Sequence, residues 1–332
     1  MKIYFVHSSH HEGLLREERC KVIITFARVR RVLDTDEYYR FKPYLPGGYP
    51  EILVDSGGFQ LQRGDVQTTM RINTEEYSRW LKDAIVKYPE IVGYMNLDLV
   101  QLPKSEPWVR CKKCKAEEKL EAELRKKFQE KLKCKVCGET TKIVRKPATE
   151  TLDQKTKRME LSAIITLENQ FIMEQNGLRP IPVWHDGEPE EYLSLYCRNY
   201  EWVAIGGLVG RLKSKDYYRK LVNRITQNYP DNKIHLLGIG ITGIDAFRQG
   251  KIYSVDFSTW STVARYGHII VTDPKQLIKE IKLPDEDRER LRHDQQFQID
   301  ITRKSIKNIQ MFEETISNMK IDSYQHILRL EK

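Results

Sequence analysis

Arg179–Gly207 reads RPIPVWHDGEPEEYLSLYCRNYEWVAIGG. Arg179–His185 is a short apolar run that ends on a polar residue. Pro189–Cys197 has helical spacing, with proline suited to a first turn, and Trp202–Ile205 is a second apolar run closed by Gly206-Gly207. Two short apolar runs around an amphipathic helix predict parallel strands joined by a right-handed crossover. The same rhythm continues outward. Downstream, Lys215–Asn228 reads as a helix, Lys233–Ile239 (KIHLLGI) as a strand, Ile244–Gln249 as a short helix and Ile252–Asp256 as a strand. Upstream, Pro50–Ser56 (PEILVDS) is a strand followed by Gly57-Gly58. Thr74–Lys87 is a helix with Asn73 as its N-cap, Ile91–Val100 (IVGYMNLDLV) is a strand, and Leu152–Gln175 is a long helix ended by Gly177. Repeated strand–helix units predict a TIM-type (β/α)8 barrel. No GxGxxG opens a helix after a first strand, which argues against a dinucleotide fold. In a barrel the C-terminal strand ends form the active-site face, and Asp55, Asp98, His185, Gly206 and Asp256 all fall there.

One segment interrupts the rhythm. Residues 103–147 carry Cys111-Lys-Lys-Cys114 and Cys134-Lys-Val-Cys137, with Gly138 placed for a tight turn. Two CxxC pairs at this separation match a structural zinc site in which four thiolates close a tetrahedron. Disulfides are the weaker alternative in a reducing compartment. From Lys104 to Lys146 there are 15 Lys/Arg against seven Glu, so nearly all of the net charge of +9 lies in this insertion. Such a block reads either as a nucleic-acid footprint or as a solvated lysine-rich helix. The chain therefore divides into a barrel over 1–102 and 148–280, an inserted zinc-ribbon-like basic module over 103–147, and a C-terminal helical extension over 281–332. No apolar run is long enough for a membrane span. The opening MKIYFVHSSHHEG has neither an apolar h-region nor a cleavage site, so a cytoplasmic location is expected. Cys20 and Cys197 stand alone and read as buried thiols.

Asp55 and Asp256 each end an apolar strand. An aspartate there can be a turn or capping residue. Two of them on one barrel face also suit glycosidic chemistry, in which one carboxylate attacks the anomeric carbon and the other moves a proton. His7, His10 and His11 read as a polar turn or as metal ligands, and Trp260 as core or as a surface for stacking on a base.

Val54-Asp55-Ser56-Gly57-Gly58-Phe59-Gln60 resembles the signature of tRNA-guanine transglycosylases. Ile205-Gly206-Gly207-Leu208-Val209-Gly210 resembles that family's glycine-rich base-binding loop, and Leu236-Leu237-Gly238-Ile239-Gly240 its next strand. The resemblance covers residues 50–260 without the cysteine segment. It implies Asp256 as a nucleophile that forms a covalent glycosyl-aspartate. It implies Asp55 as the carboxylate that exchanges a proton with the departing and incoming bases, and Asp98 as the reader of a guanine-like amino edge. Ser56, Gly57, Gly58, Gly206, Gly207, Leu208 and Gly238 would line the base, with Phe59 and Leu237 sandwiching it.

Departures are equally informative. The family's C-terminal CxCxxC zinc cluster is missing, and Val255-Asp256-Phe257-Ser258-Thr259-Trp260 replaces the usual proline-and-arginine segment. Trp184-His185-Asp186-Gly187 stands where a glutamine is expected, which makes His185 the substitute. The chain is most similar to the paralogues that place 7-deazaguanines in DNA in phages and bacteria. The implied partners are DNA, with tRNA as the alternative, and a 7-deazaguanine base such as 7-cyano-7-deazaguanine. The implied cofactor is structural Zn2+. A non-catalytic nucleic-acid-binding paralogue is the rival from another class, and formation of a homodimer is the rival use of the insertion.

Overall fold

In the computed structural model, residues 1–26, 47–57, 73–99, 105–119, 134–147, 149–208, 215–239, 252–272 and 278–330 are described. The elements begin with β1 (Lys2–Val6), α1 (Glu12–Glu17), β2 (Val22–Thr25), β3 (Ile52–Asp55), α2 (Thr74–Lys87), β4 (Ile91–Tyr94), β5 (Ser105–Cys111), β6 (Glu117–Lys119) and β7 (Thr141–Pro147). They continue with α3 (Leu152–Gln175), β8 (Val183–His185), α4 (Glu190–Asn199), β9 (Trp202–Gly206), α5 (Lys215–Asn228), β10 (Lys233–Leu236), β11 (Ser254–Phe257), β12 (His268–Thr272), β13 (Ile278–Lys282), α6 (Asp285–Arg290) and α7 (Gln295–Leu330). Two compact units result, Met1–Val100 with Ala163–Lys332, and Gln101–Ser162.

The first unit is built on one curled parallel sheet of eight strands among the described residues, ordered β4-β3-β2-β1-β11-β10-β9-β8. One isolated bridge links the segments that flank its two outer strands. Met95, just past β4, bridges in parallel to Ile181, just ahead of β8. The Ile181 N–H donates to the Tyr94 carbonyl at 2.8 Å, and the Asn96 N–H to the Ile181 carbonyl at 3.0 Å. Gly93 permits this approach, because a Cβ there would lie 2.9 Å from Ile181 Cδ1 and 3.0 Å from the Trp202 ring.

Strand period sorts the side chains into two cores. Ile3, Phe5, Val22, Ile24, Ile52, Val54, Val203 and Ile205 join the helices' buried faces in one large cluster. Their alternates Tyr4, Ile23, Leu53 and Ala204 join Met95, Ile181 and Val183 in a smaller cluster on the other face. The strands read as near-continuous apolar runs because both faces are buried. One step of two beyond the inner cluster, Leu53 leads to Asp55, Val183 to His185 and Ala204 to Gly206. The same parity aligns His235 with Leu237 and Ser254 with Asp256.

Local expectations hold where a cap is encoded. Asn73 Oδ1 accepts from the Glu76 N–H at 2.7 Å and starts α2. Gly177, at φ +77°, ends α3, with the Leu178 N–H reaching the Met173 carbonyl at 3.1 Å. Pro189 is the N-cap of α4 rather than part of its first turn. The strand expected over Ile91–Val100 is regular only to Tyr94. Strands β1 and β2 were not legible, because the six-residue α1 between them breaks the expected helix length. The short helix expected at Ile244–Gln249 lies outside the described residues.

From Asp285 the chain is helical through α6 and α7. Strands β12 and β13 pair antiparallel, and α7 packs Ile306, Ile309, Phe312 and Ile316 into the large core. Glu313 on α7 accepts from the Ile3 N–H at 3.2 Å and from Lys21 Nζ at 2.8 Å. The second unit contains the antiparallel sheet β6-β5-β7. Glu313→Ala is expected to destabilise the protein by about 2 kcal/mol, because it leaves a buried N–H unpaired. Glu313→Gln, which keeps an acceptor, should cost less than half of that. Urea unfolding of the two variants checks the order.

Candidate active site and metal centre

A chain of buried polar groups crosses the C-terminal strand ends. Ser56 Oγ–H donates to Asp98 Oδ1 at 2.6 Å, and His185 Nε2 contacts Asp98 Oδ2 at 3.0 Å. His185 Nδ1 contacts Glu188 Oε1 at 2.9 Å, while the backbone N–H of His185 donates to Glu188 Oε2 at 2.9 Å. Burial opposes a cation at His185, but the two flanking carboxylates hold its pKa up at about 9. Both ring nitrogens therefore carry protons at neutral pH. Burial likewise opposes ionisation of Asp98, yet the His185 hydrogen bond and charge, with the Ser56 hydroxyl, outweigh it and hold its carboxyl below the usual value. Because both of its nitrogens face carboxylates, His185 orients Asp98. It leaves no ring N–H for the base-contacting role expected of a glutamine substitute.

Gly206 follows from the same packing. A Cβ at this position would lie 2.6 Å from His185 Cδ2, so any side chain would displace the imidazole. Gly207 takes φ +73° beside the Asp186 backbone, a conformation that disfavours a side chain. Leu208 is buried, and its carbonyl accepts from Tyr218 at 3.4 Å.

Asp55 lies two residues beyond Leu53 and opposite Thr25 in register. It is partly buried. Desolvation, then the negative charges of Asp98 and Asp256, raise its pKa to about 7, against hydrogen bonds from the Thr25 side chain and the Gly57 backbone. Asp256 is buried on β11. Its Oδ1 contacts His235 Nε2 at 3.2 Å and accepts from the Gly238 N–H at 3.0 Å. Leu237 is partly buried against the inner apolar cluster. Thus Asp55, Ser56, Gly57, Asp98, His185, Gly206, Gly207, Leu208, Leu237, Gly238 and Asp256 are described, whereas Gly58 and Phe59 lie outside the described residues.

Glu188, Thr25, Ser254 and His235 were missed. A histidine at an inward position of an otherwise apolar strand, as in Lys-Ile-His235-Leu-Leu, was the available signal. Glu188, three residues after His185, carried none. Trp260 is completely buried, edge-on to Phe5 and His11, so it is core. His11 contacts Ser8 and His7 approaches Glu12, while no metal-ligand cluster involving these histidines occurs among the described residues.

In the second unit the four sulfurs of Cys111, Cys114, Cys134 and Cys137 lie within 4.8 Å of one another and could hold a metal ion. Three separations are 3.5–3.6 Å. Sulfurs set tetrahedrally around a zinc ion would lie ~3.8 Å apart, given Zn–S bonds of about 2.3 Å. The two turns match. The Lys113 N–H points at Cys111 Sγ and the Val136 N–H at Cys134 Sγ, each at 3.4 Å. Lys115 and Gly138, each directly after the second cysteine of its pair, both take positive φ. Such amides stabilise thiolates.

No family model and no characterised protein matches the sequence.

The raised Asp55 pKa has a stability consequence. Below pH ~4 the carboxyl is protonated in both folded and unfolded chains. Between pH ~4 and about 7 only the unfolded chain has lost the proton, so stability falls as pH rises through that window. Asp55→Asn removes this loss. Relative to wild type, the variant should gain on the order of 2–4 kcal/mol between pH 4 and pH 8. Parallel denaturation curves at the two pH values test this, and an equal difference at both would refute the assigned shift.

Proposed function

We propose that the protein is a base-exchange transglycosylase that excises guanine from a polynucleotide and inserts a 7-deazaguanine. The observation that carries the reading is the pair Asp55 and Asp256. Two carboxylates share the C-terminal strand ends, and Asp55 titrates near neutrality. A carboxyl that keeps its proton to near neutrality suits proton transfer, and a second carboxylate on the same face can make the nucleophilic attack. Asp256 would attack the anomeric carbon as the bond to guanine N9 breaks, and Asp55 would deliver the proton to the departing base. The incoming base would return its proton to Asp55 and displace Asp256. A covalent ester conserves the glycosidic bond energy, so no nucleotide hydrolysis is needed. Asp98, kept anionic by His185, would accept from the ring N–H and exocyclic amine of guanine, donors that adenine does not offer in that pattern. The target nucleotide must leave its stack to reach the strand ends.

The bridge between β4 and the segment ahead of β8 supports reading the curled sheet as a TIM-type barrel. A four-thiolate set with no open position suits structural zinc. Lys112, Lys113, Lys115 and Lys135 flank the cysteines and are exposed, which favours a phosphate-binding role for the module. DNA is the preferred polymer.

Incubation with labelled guanine or 7-cyano-7-deazaguanine and either duplex DNA or tRNA tests the function. Incorporation into DNA is expected, with Asp256→Asn reducing it by roughly 10³-fold or more. Incorporation into tRNA alone would move the substrate to RNA, and none into either polymer would sink the reading. Neutralising three of the exposed lysines should weaken DNA binding across sequences and flatten the log–log salt dependence by about 0.9 per lost phosphate contact. Salt-titrated fluorescence anisotropy reads that slope, and an unchanged slope would remove the module from DNA binding.

A further inference from the structure

His235 is completely buried, and the reading above gives it no role. It lies at an inward position of β10, edge-on to Tyr4. Its Nδ1 is 2.8 Å from Ser254 Oγ and its Nε2 is 3.2 Å from Asp256 Oδ1. The strand register explains the contact, because His235 pairs with Ser254, two residues before Asp256 on β11. A bare ring nitrogen facing a carboxylate oxygen at that distance would be repelled, so Nε2 must carry a proton. Gly238 supplies a second N–H to the same oxygen. Among the described residues no hydrogen bond reaches the other oxygen, Oδ2.

We propose that His235 is a positioning residue that, with the Gly238 N–H, pins Oδ1 of Asp256 so that Oδ2 is the atom that attacks the sugar. The inference rests on Asp256 being the nucleophile. Oδ2 forms its bond to C1′ while the C1′–N9 bond breaks, and the electron pair passes to N9, which takes a proton from Asp55. Oδ1 then becomes the carbonyl oxygen of the ester. On the return step N9 of the incoming base, having given its proton to Asp55, bonds to C1′. The Oδ2–C1′ bond breaks, and its electron pair restores the carboxylate. Two N–H donors are already aimed at the Oδ1 side of that carboxylate. They need not reorganise as charge develops, which is the condition under which donors assist a reaction most. Ser254 holds the imidazole at the correct angle through Nδ1. His235 itself does not touch the substrate.

The test has two arms on the full-length protein. Nitrogen-15 spectra of histidine-labelled wild type, assigned by loss of the signal in His235→Gln, should show a proton on Nε2 of His235. A bare Nε2 would overturn the inference whatever the activity. In exchange assays His235→Leu should lower kcat roughly 100-fold with little change in KM for the base. His235→Gln, which can place an amide N–H near the Nε2 position, should recover at least tenfold of that loss. This rescue keeps the proposal testable should the leucine variant fail to fold. A folded His235→Leu enzyme with kcat within threefold of wild type, or a glutamine variant as impaired as leucine, would overturn the role of His235 and leave the exchange reaction standing. Wild-type protein that exchanges no base would overturn both.

Discussion

A parallel strand buried on both faces has no solvent side on which to leave a polar group, so any polar residue it carries must be satisfied inside. That constraint governs the first unit. Each strand of the curled sheet sends alternate side chains into the large helix-backed core and into the small inner cluster. The inner cluster is apolar over most of the strand length. It gives way to Asp55, His185, Gly206, His235 and Asp256 where the strands end. The polar site is thus the top of the same column of side chains, and its residues inherit their spacing from register.

Charge accounting then shapes the site. Two carboxylates flank the His185 cation, one on each ring nitrogen, and neither charge is stranded. Buried charges persist only when paired and hydrogen-bonded. Among the described residues Asp55 has no such cation; it feels Asp98 and Asp256 instead and retains its proton to about pH 7. One carboxylate is therefore fixed as an anion and another is poised to exchange protons, although both are aspartates only 43 positions apart in a single chain. The requirement for glycine at 206 follows from the imidazole that fills the space its side chain would take.

The second unit rests on different physics. Its described residues form a three-stranded antiparallel sheet, one strand of which has only three residues. Modules of this kind depend on a metal or another staple for their stability. The matched cysteine turns, each with an amide aimed at its first sulfur and a left-handed residue after its second cysteine, supply the ligand geometry that such a staple needs.

Local pattern was sufficient for what is encoded locally. Apolar period, capping by Asn73 and termination at Gly177 marked the helices, and CxxC spacing marked the two cysteine turns, because each depends on neighbours a few residues away. Asp55, Asp98, His185 and Asp256 were legible as strand-end residues. The partners that give them their chemistry were not. Glu188 matters because the chain turns back onto His185, and His235 matters because β10 lies beside β11. Glu313 matters because a helix near the C-terminus packs on the first strand, 310 positions away. Strands β1 and β2, joined through an unusually short helix, and the β12–β13 pair also escaped local reading. Sequence by itself determined which residue types stand at the strand ends and in the cysteine turns. Only the tertiary structure decided which carboxylate is neutralised by a buried cation and which keeps its proton, because pKa values are set by desolvation and by charges brought close through the fold.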